Sequence, residues 1–130
     1  MTLTLDEAKR VLDGAIAEAD RLGIKICVAV CDAGGRLIAL NRMDGVVWAA
    51  VYGCQGKATA SAGFGAPSGA LQPNADEPVF RGIAEAAGGM ILHQGAVPVI
   101  RGGAVIGSCG VGGGTGQQDE ECAAAGASAL

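Results

Sequence analysis

Residues 97–122 read VPVIRGGAVIGSCGVGGGTGQQDEEC, and the fold turns on how this stretch is divided. Two apolar runs, Val97 to Ile100 and Ala104 to Val111, flank Arg101-Gly102-Gly103, a sequence with the chemistry of a hairpin turn. The second run passes into Gly112, Gly113, Gly114 and Gly116, and then into Asp119, Glu120 and Glu121, which predicts a final helix over Gln117 to Leu130. The same layout occurs earlier in the chain: VAVCDAGGRLIAL at residues 28–40 is again a pair of apolar runs around a Gly-Gly turn. The runs there are Lys25 to Cys31 and Leu37 to Met43, separated by Asp32-Ala33-Gly34-Gly35. Two hairpins at opposite ends of the chain predict antiparallel pairs that complete one sheet.

The glycine-rich connection is the first candidate for a site, because its bare backbone can approach a ligand or another chain closely. A glycine turn that opens a helix can hold phosphate on exposed N–H groups at the positive end of the helix dipole. Here Asp119, Glu120 and Glu121 fill the first turn and no Gly-Lys-Ser/Thr ending follows. Two readings remain: a tight strand-to-helix connection with acids placed to suit the dipole, or the wall of a pocket for a ligand without phosphate.

Working outward, Thr4-Leu5-Asp6-Glu7 is a capping box. Ala8, Val11, Leu12, Ala15, Ile16, Ala19 and Leu22 then recur at helical spacing until Gly23. Val46 to Ala62 reads as a second helix. Its Gly53 and Gly56 each cost about 1 kcal/mol against alanine and open one face to another backbone. Gly63 to Asn74 reads as irregular, Asp76-Glu77-Pro78 starts a helix through Ala87, and Gly88-Gly89 stops it. Met90 to His93 reads as a short edge strand. The order is α-β-β-α-α-β-β-α, an α+β domain with an antiparallel sheet covered by helices.

The 130 residues fit one domain, 1–130. Half are hydrophobic but only 3% aromatic, so Ala, Val, Ile and Leu must build the core, and the 23 glycines mark tight turns and close packing. Net charge is −4 with nine dispersed basic residues, which gives no stripe for nucleic acid. Neither a basic-then-apolar leader nor an apolar run near membrane length is evident. The five cysteines, Cys27, Cys31, Cys54, Cys109 and Cys122, form no CxxC pair. They suit reduced, buried thiols in a cytoplasmic protein, and no metal site is expected.

His93 is the sole histidine and therefore the first candidate for acid-base work near neutral pH. Asp119 and Glu120, with Glu121, are candidate proton partners, or ordinary acids of a helix start. Lys57 and Arg81 are candidate anchors for a carboxylate, or solvated helix charges. Trp48 and Tyr52, one helical turn apart, suit a wall for a planar ligand, an oligomer contact or core packing. Gly113, Gly114 and Thr115 would lend N–H donors. The expected pocket is the meeting of His93, the Phe64 to Glu77 segment and the Gly112 to Asp119 loop.

Taken together, the capped first helix ending in LGI, the VAVCDAGGRLIALNRMDG hairpin, the helix holding KATA, the GAVPVIRGGAVIG hairpin and the closing GVGGGTGQQDEECAAAG resemble the GlcG/HbpS haem-binding family. That family includes the C-terminal domain of PduO-type proteins. The resemblance covers nearly the whole chain. It implies a profilin-like sandwich, homo-oligomers that are often octamers, and a haem-linked or other small-molecule role. Members that bind haem use a histidine of the first helix; residues 1–22 here contain none. The two functional readings are a protein that binds haem or another planar small molecule, and a cofactor-independent isomerase, lyase or hydratase using His93 with an acidic residue.

Overall fold

A computed structural model describes residues 2–130. It contains α1 (Leu5–Leu22), β1 (Cys27–Asp32), β2 (Leu37–Arg42), α2 (Ala50–Phe64), a 3-10 segment (Ser68–Asn74), α3 (Pro78–Ala86), β3 (Ala96–Arg101), β4 (Ala104–Gly112) and α4 (Gly116–Ala127). The order of helices and strands is the one expected from the sequence. The four strands form one antiparallel sheet in the order β2-β1-β4-β3, so the inner strands of the two hairpins pair with each other.

Local chemistry fixes the helix ends. At α1 the Thr4 Oγ1 accepts from the Glu7 N–H at 3.2 Å and Glu7 Oε1 accepts from the Thr4 N–H at 3.0 Å. Gly23 closes the helix with φ of 72°, a conformation that costs glycine least. The apolar stripe of α1, Ala8, Val11, Leu12, Ala15 and Ala19, is fully or nearly fully buried.

Two layers of helix cover the sheet. On one face α1 and α4 pack over Val28, Val30, Ile106 and Val111. On the other, α2 lies on Cys27, Ala29 and Cys31 through Ala50, Cys54 and Ala58. Small residues set these spacings: a Cβ at Gly110 would stand 2.2 Å from the Cys54 carbonyl oxygen, and one at Gly126 would stand 2.6 Å from that of Val11. Both outer strands are interrupted. In β2, Val30 pairs with Ala39 but Cys31 pairs with Leu37, so Ile38 is the extra residue of a bulge. In β3, Pro98 sits opposite Ser108 and has no N–H to offer.

Three expectations are corrected. The helix expected from Val46 starts at Ala50; residues 44–49 form turns, and Ala50 donates back to Val47 without any side-chain cap. The segment read as irregular, 63–74, splits into the last turn of α2, the αL residue Gly65 and the 3-10 segment. No strand forms at 90–93. Gly88 and Gly89, at φ of 86° and 110°, swing the chain onto α2, where the Ile91 N–H donates to the Gly56 carbonyl at 3.0 Å and leaves no ladder for Met90 to His93. Gly56 takes that approach, whereas Gly53 faces open space.

Candidate functional site

Two constellations bring the candidate residues together. The first is a buried polar clamp. Lys57, in the middle of α2, extends its Nζ to 3.1 Å from Asp119 Oδ2 in the first turn of α4 and also donates to the Gln94 carbonyl at 3.4 Å. Lys57 is only 8% exposed and Asp119 3%, so the expectation of a solvated helix charge at Lys57 is corrected. The other oxygen, Oδ1, accepts from the Gly114 N–H at 2.8 Å. Burial pushes the Asp119 carboxyl above its ordinary range, against the opposing pull of the Lys57 ammonium and the Gly114 N–H.

Around that pair the chain is closely fitted. Gly95 has φ of 143°, and a Cβ there would stand 2.6 Å from Lys57 Nζ; only a glycine leaves room for the ammonium. The Gln94 side chain runs from the 3-10 segment to α4. It packs against Gly69 and Gly116, and its Nε2 donates to Gln117 Oε1 at 3.1 Å and to Glu120 Oε2 at 3.3 Å. Ser68, fully buried, accepts the Ala96 N–H at 2.9 Å. Gln94 thus fills the space between Gly69 and the start of α4, where a pocket with His93 was expected. His93 beside it is exposed, and its ring makes no hydrogen bond among the described residues.

Two of the three loop N–H groups expected as ligand donors, those of Gly114 and Thr115, are already engaged. Gly114 N–H goes to Asp119, Thr115 N–H goes to Gln118 Oε1 at 3.0 Å, and Thr115 Oγ1 accepts the Gln118 N–H at 3.2 Å. Thr115 is thus the N-cap of α4 in a full capping box, for which the spacing Thr115-Gly-Gln-Gln118 was the available signal. Gly113, at φ of 120°, lies against the Lys25 carbonyl, where a Cβ would approach to 2.6 Å. Gln94 and Gly95 were not identified from the sequence, because single polar and glycine residues before a strand carry no periodic signal; Ser68 lay within the expected 64–77 segment but was assigned no role.

The second constellation is a surface groove of about 320 Å³. Tyr52, Gln55 and Thr59 of α2 form one wall, and Gly88, Gly89 and Ile91 face them. No lining residue carries a formal charge. Trp48, one turn before Tyr52, meets it edge to face with ring centroids 6.1 Å apart and planes at 81°. These aromatics are 69% and 67% exposed, which excludes the core-packing alternative for the pair. Arg81 lies elsewhere, in an open cleft with Glu85, Met90 and Leu92.

All five cysteines are buried and unpaired. Burial raises every thiol, Cys122 to about 11 and Cys54 and Cys109 further, so they stay protonated and unreactive at neutral pH. Among the described residues no three His, Cys, Asp or Glu side chains are grouped to hold a metal ion, and no helix is long and apolar enough to cross a membrane.

The model of the HbpS-like family of haem-degrading proteins matches residues 3–128. A 15.0 kDa protein encoded in the dhaT-dhaS intergenic region of Citrobacter freundii is 30% identical over 122 residues, covering 91% of this chain and 84% of that one. The crystal structure of a Streptomyces reticuli HbpS double mutant superposes with a TM-score of 0.89 at 28% identity, over 100% of this chain and 88% of that one. A PduOC complex with haem superposes with a TM-score of 0.88 at 21% identity, over 100% of this chain and 96% of that one.

Proposed function

This chain belongs to the HbpS-like haem-degrading family, and from that premise we propose that it binds haem, or a closely related planar molecule, as a homo-oligomer in the cytoplasm. The observation that carries the reading is the groove beside the exposed Trp48–Tyr52 pair. Aromatic rings left in water are costly unless a partner covers them, and a flat conjugated ligand is such a partner. The lining is uncharged: Tyr52 is its single aromatic ring, set beside Gln55 and Thr59, and Gly88 and Gly89 present bare backbone that a flat ligand can approach.

The groove lies at the small end of the range for ligand pockets, about 300–1,000 Å³. One chain therefore covers part of a haem, and its carboxylates remain in solvent or against a second copy. Val47, Val79 and Ile83 are also exposed, which favours such a copy. Haem, when bound, supplies an iron centre with positions open to small diatomic ligands. The protein's own residues orient it and shield one face. The Lys57–Asp119 clamp ties α2, which carries Trp48's partner Tyr52, to α4 and so holds the wall in place. Unpaired thiols fit a reducing compartment.

Titration of the purified protein with haemin tests this. The Soret band and the fluorescence of the single tryptophan are to be followed together. A shift that saturates at one haemin per chain supports the reading, and a linear, unsaturated response overturns it.

A further inference from the structure

Beyond the haem reading, and without resting on it, we infer that the groove beside α2 is a site for a small planar organic cation rich in N–H donors, of the amidinium or guanidinium class. The hydrogen-bonding capacity that its lining leaves unspent points there.

Every backbone N–H of the lining is used inside the chain. Those of Gln55, Gly56 and Thr59 belong to the ladder of α2, and Tyr52 donates to the Ala49 carbonyl at 3.1 Å. On the facing wall Ala87 donates to the Ile83 carbonyl, Gly88 to that of Glu85, Gly89 to that of Ala84 and Ile91 to that of Gly56, at 2.8–3.0 Å. The side chains are spent in the same way. Gln55 Nε2 donates to the Val51 carbonyl at 2.8 Å, and Thr59 Oγ1 to the Gln55 carbonyl at 3.0 Å. What is left to donate is the second N–H of the Gln55 amide and the Tyr52 hydroxyl, which also accepts.

Acceptors are left in excess. Gln55 Oε1 and the carbonyls of Ala87, Gly88 and Gly89 receive no hydrogen bond among the described residues. The last three follow directly on α3, at the end of that helix where the dipole is negative. A carboxylate or phosphate brings only acceptors and would meet acceptors, in a chain whose net charge is already −4. A planar cation with several N–H groups meets the opposite: partners for its edge, and the ring of Tyr52 for its face. The edge-to-face contact with Trp48 covers a single ring face, so Tyr52 keeps at least one open. A groove of about 320 Å³ suits a ligand built on one ring.

The test follows the fluorescence of Trp48, the chain's single tryptophan, as purified protein is titrated with benzamidinium chloride, benzamide or sodium benzoate. These probes share a shape and differ in charge and donors. Benzamidinium is expected to give a saturable change at millimolar concentration or below. Benzamide should bind about tenfold more weakly, and benzoate should not saturate. Gln55→Glu, which places a full negative charge in the groove, should tighten benzamidinium about threefold or more. Tyr52→Leu should weaken it about threefold, and thermal melts check that both variants fold. Benzoate or benzamide binding as tightly as benzamidinium overturns the assignment. So does the absence of a saturable response to benzamidinium, or an affinity left unchanged by both substitutions. Haemin binding is read separately by its Soret band, so failure of either reading is told apart from failure of the other.

Discussion

Lys57 and Asp119 are 62 positions apart in sequence and 3.1 Å apart in space, and both are shut away from water. The ammonium and carboxylate together pin the middle of α2 to the start of α4 across the end of the sheet. A buried pair of this kind contributes little over apolar residues of the same shape, yet removal of one member strands the other charge.

Lys57→Met and Asp119→Leu, each alone, are therefore expected to cost about 3–5 kcal/mol in urea unfolding. The double variant should cost less than the sum of the two, because neither charge is left unpaired. Strictly additive losses would show that the pair is not coupled.

The pH dependence of the same carboxyl has a defined sign. Its folded pKa is raised above the unfolded value by burial, so protonation favours the folded state. This contribution is fully present below the unfolded pKa and is lost as pH rises through the folded one. The stability of wild type relative to Asp119→Asn should accordingly fall as pH rises from the ordinary aspartate range to the raised value. Glu7 and Glu18, whose pKa values are lowered by Thr4 and Arg21 hydrogen bonds respectively, act in the opposite direction but cancel in this difference. A relative stability that rises over that interval would contradict the assignment.

Glycines separate into two classes. At Gly110 a Cβ would meet the Cys54 carbonyl and the Ala58 amide at 2.2 and 2.7 Å, both backbone atoms that cannot step aside. Gly110→Ala should lose about 3 kcal/mol or more by forcing α2 off the sheet. Gly53, in the same helix with nothing within 4 Å, should gain about 0.5–1 kcal/mol as alanine. Chemical denaturation of the two variants checks both signs.

Thiol chemistry offers a fourth measurement. With burial raising all five cysteines, native protein at pH 8 should release almost no colour with Ellman's reagent over minutes, and five equivalents after denaturation. A fast-reacting thiol in the native protein would mean that a cysteine is accessible.

The exposed apolar residues of α3 bear on assembly. Val79 is 70% exposed and Ile83 41%, and no residue of this helix is buried. Light scattering should give a mass of several chains per particle, and Val79→Asp with Ile83→Lys should lower it. A monomer at micromolar concentration would refute the oligomer.

Where the signals are local, the fold was legible in the sequence. The Thr4 capping box, Gly23 and the two Gly-Gly turns act within a few residues, and all four strands followed from them. The start of α2 was not, because Val46 to Ala49 continue the apolar pattern and no cap residue marks Ala50. The site was less legible for a different reason. Lys57 looks like any helix lysine until Asp119 and Gln94 are brought to it from residues far along the chain. Thr115 did carry a readable cap signature, obscured by the glycines around it.

The bulge at Ile38 and the proline at position 98 have a consequence for how copies of this chain can meet. A sheet with two clean rims can recruit strand after strand from neighbouring molecules, and nothing then limits its growth. Here one rim is bent out of register and the other is missing a donor in its middle. Ribbon-like accretion is disfavoured at both sides, so any contact between copies would fall to the helical faces, where a rotation can close on itself into a particle of fixed size.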